Sequence, residues 1–211
     1  WASPSHDQSR IAWDEALRAL GGCRGIRSNK TENTIYFDDT RGRITFRSMD
    51  DPNTARGHSA DVIVVDEAGD VPEEAWYEVL RPMLLDTRGS AWIIGTPKGR
   101  NWFWRGWVDS HDRDDSAAWQ APALGVKIDA DTQQLVRDPH PLENPDISFD
   151  EMRQIWSTTP ERAFRQEYLA EFLDDGGGVF RGVQERATGA LREPYRGTFA
   201  LGIDFARVND F

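Results

Sequence analysis

The chain has 211 residues, 38% of them apolar and 29% charged, with a formal net charge of −11. That is enough for one good core and part of a second in a soluble, globular protein, and no apolar run approaches the length of a membrane span. The acid excess counts against a non-specific nucleic-acid binder, which is normally basic, but not against an enzyme that meets phosphate at a few local Lys and Arg side chains.

The opening WASPSHDQSR has neither the basic start nor the apolar stretch of a signal peptide. It also lacks an initiator Met, which fits a piece of a longer chain. Residues 1 to 4 read as the end of a strand stopped at Pro4, and Ser5 as the N-cap of a helix to Leu20. Ile11, Ala12, Ala16, Leu17 and Leu20 form its apolar face, and Gly21-Gly22 ends it. Cys23 is the single cysteine, so there is no internal disulfide and no cysteine-based zinc site, as suits a reducing compartment. Thr34 to Phe37 and Arg43 to Arg47 alternate on either side of Asp38 to Gly42 and read as a hairpin with a five-residue loop.

Residues 61 to 66 read as an apolar strand buried on both faces, as in a parallel sheet. Pro72, Glu73 and Glu74 open a helix to about Leu85, with Pro82 distorting its last turn. Ala91 to Gly95 is a second apolar strand, followed by Thr96-Pro97-Lys98-Gly99 and a short aromatic helix with Trp102, Phe103, Trp104 and Trp107. Strand and helix in alternation predict an open α/β sheet. Residues 122 to 147 are polar, carry four prolines and read as a loop or small excursion. Ser148 and Glu151 form a capping-box pair for a helix to about Ser157, and Thr159-Pro160 starts another to about Leu173. Asp174 to Gly178 reads as a linker, with Gly176-Gly177-Gly178 a hinge between domains. FALGIDF, residues 199 to 205, opens a new strand with Asp204 among apolar residues.

The segment VIVVDEAGD, residues 62 to 70, carries the strongest chemical signal. Open α/β sheets place their chemistry at the carboxyl ends of strands, and Asp66 and Glu67 stand at such an end. An apolar run followed by Asp-Glu is the Walker B pattern of nucleoside triphosphatases. There the Asp holds Mg²⁺, usually through its waters, and the acidic neighbour orients or deprotonates the attacking water. Adjacent strand residues point to opposite faces, so one carboxylate can face a metal while the other reaches a water. The bland alternative is a buried strand that surfaces into an acidic turn. IIGTPKG places Thr96 at the tip of the next strand, either as a phosphate-sensing polar group or as part of an ordinary Gly-Thr-Pro turn. GTPKGR is not a G-x-x-x-x-G-K-[ST] loop, and no match to that motif occurs in the chain.

Taken together, WASPSHDQSRIAWDE, SMDDPNTARGHSADVIVVDEAGD, AWYEVLRPMLLDTRGSAWIIGTPKGRNWFW, TTPERAFRQEYLAEFLDDGGGVF and LGIDFAR resemble, in order, the large terminase subunit of tailed bacteriophages. Residues 122 to 142 match weakly. The resemblance implies a RecA-like ATPase sheet of the P-loop, ASCE type over residues 1–121. A helical linker region over 122–196 and the start of an RNase H-like nuclease domain over 197–211 follow. It also implies a phosphate loop upstream of Trp1 and further nuclease acids beyond Phe211. Its cofactors are ATP with Mg²⁺ at Asp66, and Mg²⁺ or Mn²⁺ at a nuclease site to which Asp204 belongs and to which Asp210 is a weaker match. Its implied partners are double-stranded DNA, a portal protein, a small terminase subunit and further copies in a ring, in the host cell cytoplasm and with no membrane. DNA contact would then rest on limited surfaces despite the acidic chain. Two rival readings stand beside it: a helicase-like ATPase acting on nucleic acid, and a non-catalytic prophage remnant.

Arg56, in the loop before the Walker B strand, matches the family's candidate arginine finger. The alternative is a surface loop arginine held by local acids, Asp50 or Asp51 being candidates. Lys98 and Arg100 either contact DNA phosphate, link ATP state to movement, or are solvated loop residues. The aromatic residues between 92 and 107 read as core and helix packing. His6, His58, His111 and His140 lack metal-ligand spacing and read as surface or loop residues.

Overall fold

The computed structural model describes residues 1–173. The glycine hinge at 176–178, the strand at FALGIDF, and Asp204 and Asp210 lie outside the described residues.

The centre is a parallel sheet of four short strands in the order β5-β1-β6-β7: β1 (Ala2–Ser3), β5 (Arg47–Ser48), β6 (Val62–Val65) and β7 (Ser90–Ile93). The register sets Val64 opposite Trp92 and Ile63 opposite Ala91. Period-2 alternation therefore sends Ile63 and Val65 to one face, where they meet Ala2, Met49, Ala68, Val71, Leu80 and Trp102 in the main core. At β6 and β7 the opposite face is open among the described residues. Val62 is 54% exposed and Trp92 57%, and Trp92 stacks on Trp119 at 6.3 Å. The apolar run at 61 to 66 is thus covered on one face only, and of the aromatic cluster it is Trp102, stacked on Trp76, that enters the core.

α1 (His6–Leu20) begins where predicted, with Ser5 Oγ accepting from Gln8 N. Its inward side is carried by Trp13, which packs edge-on against Phe46, while Ile11 points to solvent. The predicted hairpin is present as β3 (Thr34–Phe37) and β4 (Arg43–Thr45). A further strand, β2 (Ile26–Asn29), pairs with β3 to make an antiparallel meander. The helix after Pro72 widens into a π-helix over Ala75–Leu80 and tightens into a 3-10 turn over Arg81–Leu84. Pro82 has no N–H to return to the carbonyl of Glu78, so an α-helix cannot run through it.

Residues 122 to 147, expected as a loop or small excursion, contain an antiparallel pair, β8 (Val126–Ile128) and β9 (Leu135–Arg137). With α3 (Phe149–Thr158) and α4 (Glu161–Glu167) it encloses a second small core of Leu124, Val126, Leu135, Met152, Phe164 and Leu169. The Ser148–Glu151 capping box is formed in both directions. The helix after Pro160 stops at Glu167 rather than near Leu173.

Candidate functional site

Asp66 and Glu67 leave the carboxyl end of β6 side by side with the carboxyl end of β7, where Thr96 stands. The ladder continues past both strands: Ile94 N donates to Val65 O at 2.9 Å, and Ala68 N donates to Ile94 O at 2.9 Å. The two following loops then meet backbone to backbone. A Cβ on Gly95 would lie 2.7 Å from Ala68 N, and one on Gly69 would lie 2.8 Å from Thr96 O. Only glycine permits that approach, and it is what brings Thr96 beside the Asp66–Glu67 turn.

Glu67 has φ +48°, the left-handed region that costs a non-glycine residue on the order of 1–3 kcal/mol. Its direction is therefore set by a backbone reversal and not by the strand alternation expected from sequence. Asp66 Oδ1 accepts from Glu67 N at 3.1 Å, and Asp70 N donates to Glu67 O at 2.9 Å. Among the described residues, neither carboxylate oxygen of Glu67 accepts a hydrogen bond or enters an ion pair, and Oδ2 of Asp66 is likewise open. Both side chains are half-buried.

The other side of the turn is held by the segment that leads into α2 (Trp102–Asp109). Lys98 Nζ lies 2.5 Å from Asp70 Oδ2, Asn101 Nδ2 donates to Gly69 O at 3.0 Å, and the buried Trp102 Nε1 donates to Val71 O at 2.7 Å. The hydrogen bond to Asp70 raises the Lys98 pKa, so its ammonium stays charged. Lys98 is thus a loop cation paired with Asp70 and 40% exposed, and Arg100 lies over the Trp104 ring at 5.2 Å. Trp102 is in the core as read from the sequence, whereas sequence reasoning gave no role to Asp70 or Asn101. The available signal was Asn before an aromatic helix, an N-cap pattern.

Arg56 stands apart from this turn, at the end of the 3-10 turn Pro52–Ala55. The acid that holds it is Glu78, not Asp50 or Asp51. Nε donates to Asn53 Oδ1 at 2.8 Å, Nη1 to the Glu78 carbonyl at 3.3 Å, and Nη2 is 3.4 Å from Glu78 Oε2. The side chain remains 51% exposed. No group of three or more His, Cys, Asp or Glu side chains suited to a metal occurs among the described residues, and His6, His58 and His111 are exposed.

The profile of the family described as terminase large subunit, T4likevirus-type, N-terminal, matches residues 23–187. The large terminase subunit of Thermus virus P23-45 is 30% identical over 190 residues, covering 78% of this chain and 36% of that protein. That of Escherichia phage T5 is 28% identical over 183 residues, covering 84% and 38%. The chain thus spans little more than a third of the length of these relatives. A solved structure of an arginine-to-alanine variant of the large terminase ATPase domain of Thermus phage P74-26 superposes with a TM-score of 0.53. It covers 82% of this chain and 75% of that one at 24% identity, so it shows a shared α/β fold with a parallel sheet.

Proposed function

Since the chain belongs to the T4-like large terminase family and covers its N-terminal, ATPase-domain region, we propose that it forms part of a RecA-like ATPase that drives double-stranded DNA into a procapsid. The observation that carries this is the pairing of Asp66 and Glu67 with Thr96 at two adjacent parallel strand ends, with Glu67 held at φ +48° and its carboxylate open.

In this reading Asp66 would hold Mg²⁺. The residues fit such a role, because a hard cation takes oxygen ligands and Asp66 offers one oxygen fixed by Glu67 N and one open. Bound Mg²⁺ would neutralise charge developing on the phosphates. Glu67 orients the attacking water and takes its proton, and Thr96 reports the phosphate state to the loop that follows. Arg56 acts as a finger on a neighbouring subunit's nucleotide, released from Glu78 on assembly. Family membership favours this over the helicase-like reading.

The G-x-x-x-x-G-K-[ST] phosphate loop does not occur in these 211 residues, which span 36% and 38% of the length of the two relatives. The domain boundaries at 121 and 196, the nuclease metal site with Asp204, and the portal, small-subunit and ring partners in the host cytoplasm are carried by family resemblance alone. No helix among the described residues is long and apolar enough to cross a membrane. For DNA contact, the meander offers a local basic surface in an acidic chain. Arg24, Arg27, Lys30, Arg41 and Arg43 there outnumber Glu32, Asp38 and Asp39, and Arg27, Tyr36 and Arg43 align across its three strands.

Two measurements test the reading. In the complete protein, Glu67→Gln keeps Mg-ATP binding and lowers turnover by about 10²- to 10⁴-fold, since the amide has the shape of the acid but cannot accept the proton. Normal turnover in that variant removes the assignment. The 211 residues by themselves should bind Mg-ATP poorly, because the phosphate loop supplies most of the contacts; micromolar binding by calorimetry would move the nucleotide site elsewhere.

A further inference from the structure

The carboxamide of Asn101 is used at both ends. Its Oδ1 accepts from Phe103 N at 3.1 Å and Trp104 N at 3.2 Å, capping α2, while its Nδ2 donates to Gly69 O at 3.0 Å. Capping alone does not call for asparagine, because Asp and Ser cap equally well. Ionised Asp has no donor, and the single Ser donor sits on the same oxygen that would cap the helix. Gly69 O lies two residues beyond Glu67, inside the turn whose hydrogen bonds run from Asp70 N to Glu67 O and from Val71 N to Ala68 O.

The support behind Asn101 is firm. Trp102 is 3% exposed, stacks on Trp76, and donates to Val71 O. Phe103 and Trp107, further along α2, lie 5.6 and 5.4 Å from the ring of Phe172. A strained residue persists only where its surroundings over-determine it, and a site is held best by groups that are themselves fixed. We infer that Asn101 is a positioning residue for Glu67: it ties the turn carrying that carboxylate to the N-terminus of α2. This rests on the reading of Glu67 as the group that activates water.

Asn101→Asp separates the two bonds of the carboxamide. The carboxylate still caps α2, but it cannot donate to Gly69 O. Hydrogen exchange in the complete protein should then show the Asp70 and Val71 amides exchanging faster by on the order of tenfold, the worth of one such bond. Phe103 and Trp104 should stay protected. Asn101→Ala should lose protection in both places. ATP turnover in Asn101→Asp should fall by a similar factor in kcat with Mg-ATP affinity unchanged. Unchanged exchange at Asp70 and Val71 in Asn101→Asp overturns the inference. So does equal loss at Phe103 and Trp104, which makes Asn101 a helix cap only, and so does a loosened turn with kcat intact. Absence of turnover in the unmodified protein would count against the ATPase reading alone, and the exchange result would still decide the tie to Gly69.

Discussion

Two glutamates in two tight turns are held in opposite ways. Glu143, after β9, has both oxygens engaged. Oε2 accepts from Gly125 N at 2.7 Å and from His140 N at 3.2 Å, and Arg137 reaches both oxygens, at 2.8 and 3.1 Å. Its pKa is lowered to about 2, chiefly by the hydrogen bonds from Arg137. Glu67 is fixed through its backbone, in a strained conformation, and among the described residues its carboxylate has no hydrogen-bond partner. A carboxylate that holds a turn together is consumed by it. One that is held by its turn keeps its oxygens for another molecule. Satisfied ion pairs shift pKa values as readily as catalytic sites do, so the strongly shifted carboxylate here marks the structural turn.

Arg56 lies between these cases, since its contacts to Glu78 are long and its side chain is half exposed. The largest effect is expected there. A finger supplies about 10³- to 10⁵-fold in rate by neutralising charge in a neighbour's site. Arg56→Ala should therefore keep the slow rate of a lone subunit and lose the gain on assembly. Mixing it with subunits that carry Glu67→Gln should restore part of that gain, as each variant supplies what the other lacks. ATPase rate against mixing ratio, with assembly confirmed, reads the outcome. No rescue at any ratio would place Arg56 with Glu143, as a group that serves only its contact with Glu78.

How far these differences were legible in the sequence depends on how local their causes are. Val62 to Glu67 stood out because an apolar run meeting two acids is a local pattern, and the 34 to 45 hairpin because its alternation and loop are contiguous. β2 was missed because IRSN has little strand character and is fixed by pairing with Thr34–Phe37. The open face of β6 could not be read from an apolar run, since periodicity does not say whether anything covers it. Trp13 was passed over for Ile11, which falls toward solvent once the helix docks on Phe46. The tie from Asn101 to Gly69 spans 32 residues, and the reversal at Glu67 is imposed by tertiary contacts, so neither leaves a trace in local spacing.

The smallest effect belongs to Glu143, and pH makes it separable. Its side chain is 21% exposed, so the pair with Arg137 is screened in part by solvent. A carboxyl whose pKa falls from 4.5 to about 2 on folding contributes stability that is fully present above the unfolded value. It is lost as pH drops from about 4.5 through about 2. Gln at this position keeps the shape but carries no charge at any pH. Glu143→Gln should therefore lower Tm by a few degrees at pH 7, with ATP turnover of the complete protein unchanged at a permissive temperature. The gap in Tm between the two proteins should close as pH falls toward 2, since Glu143 is then protonated and the unmodified chain loses the same charge. Comparing the pair at each pH removes the contribution of every other carboxylate, because both chains share them. A Tm gap that stays constant from pH 7 to pH 2 would mean that packing, and not the charge-assisted bonds to Arg137, holds this turn. The contrast with Glu67 would then rest on geometry alone.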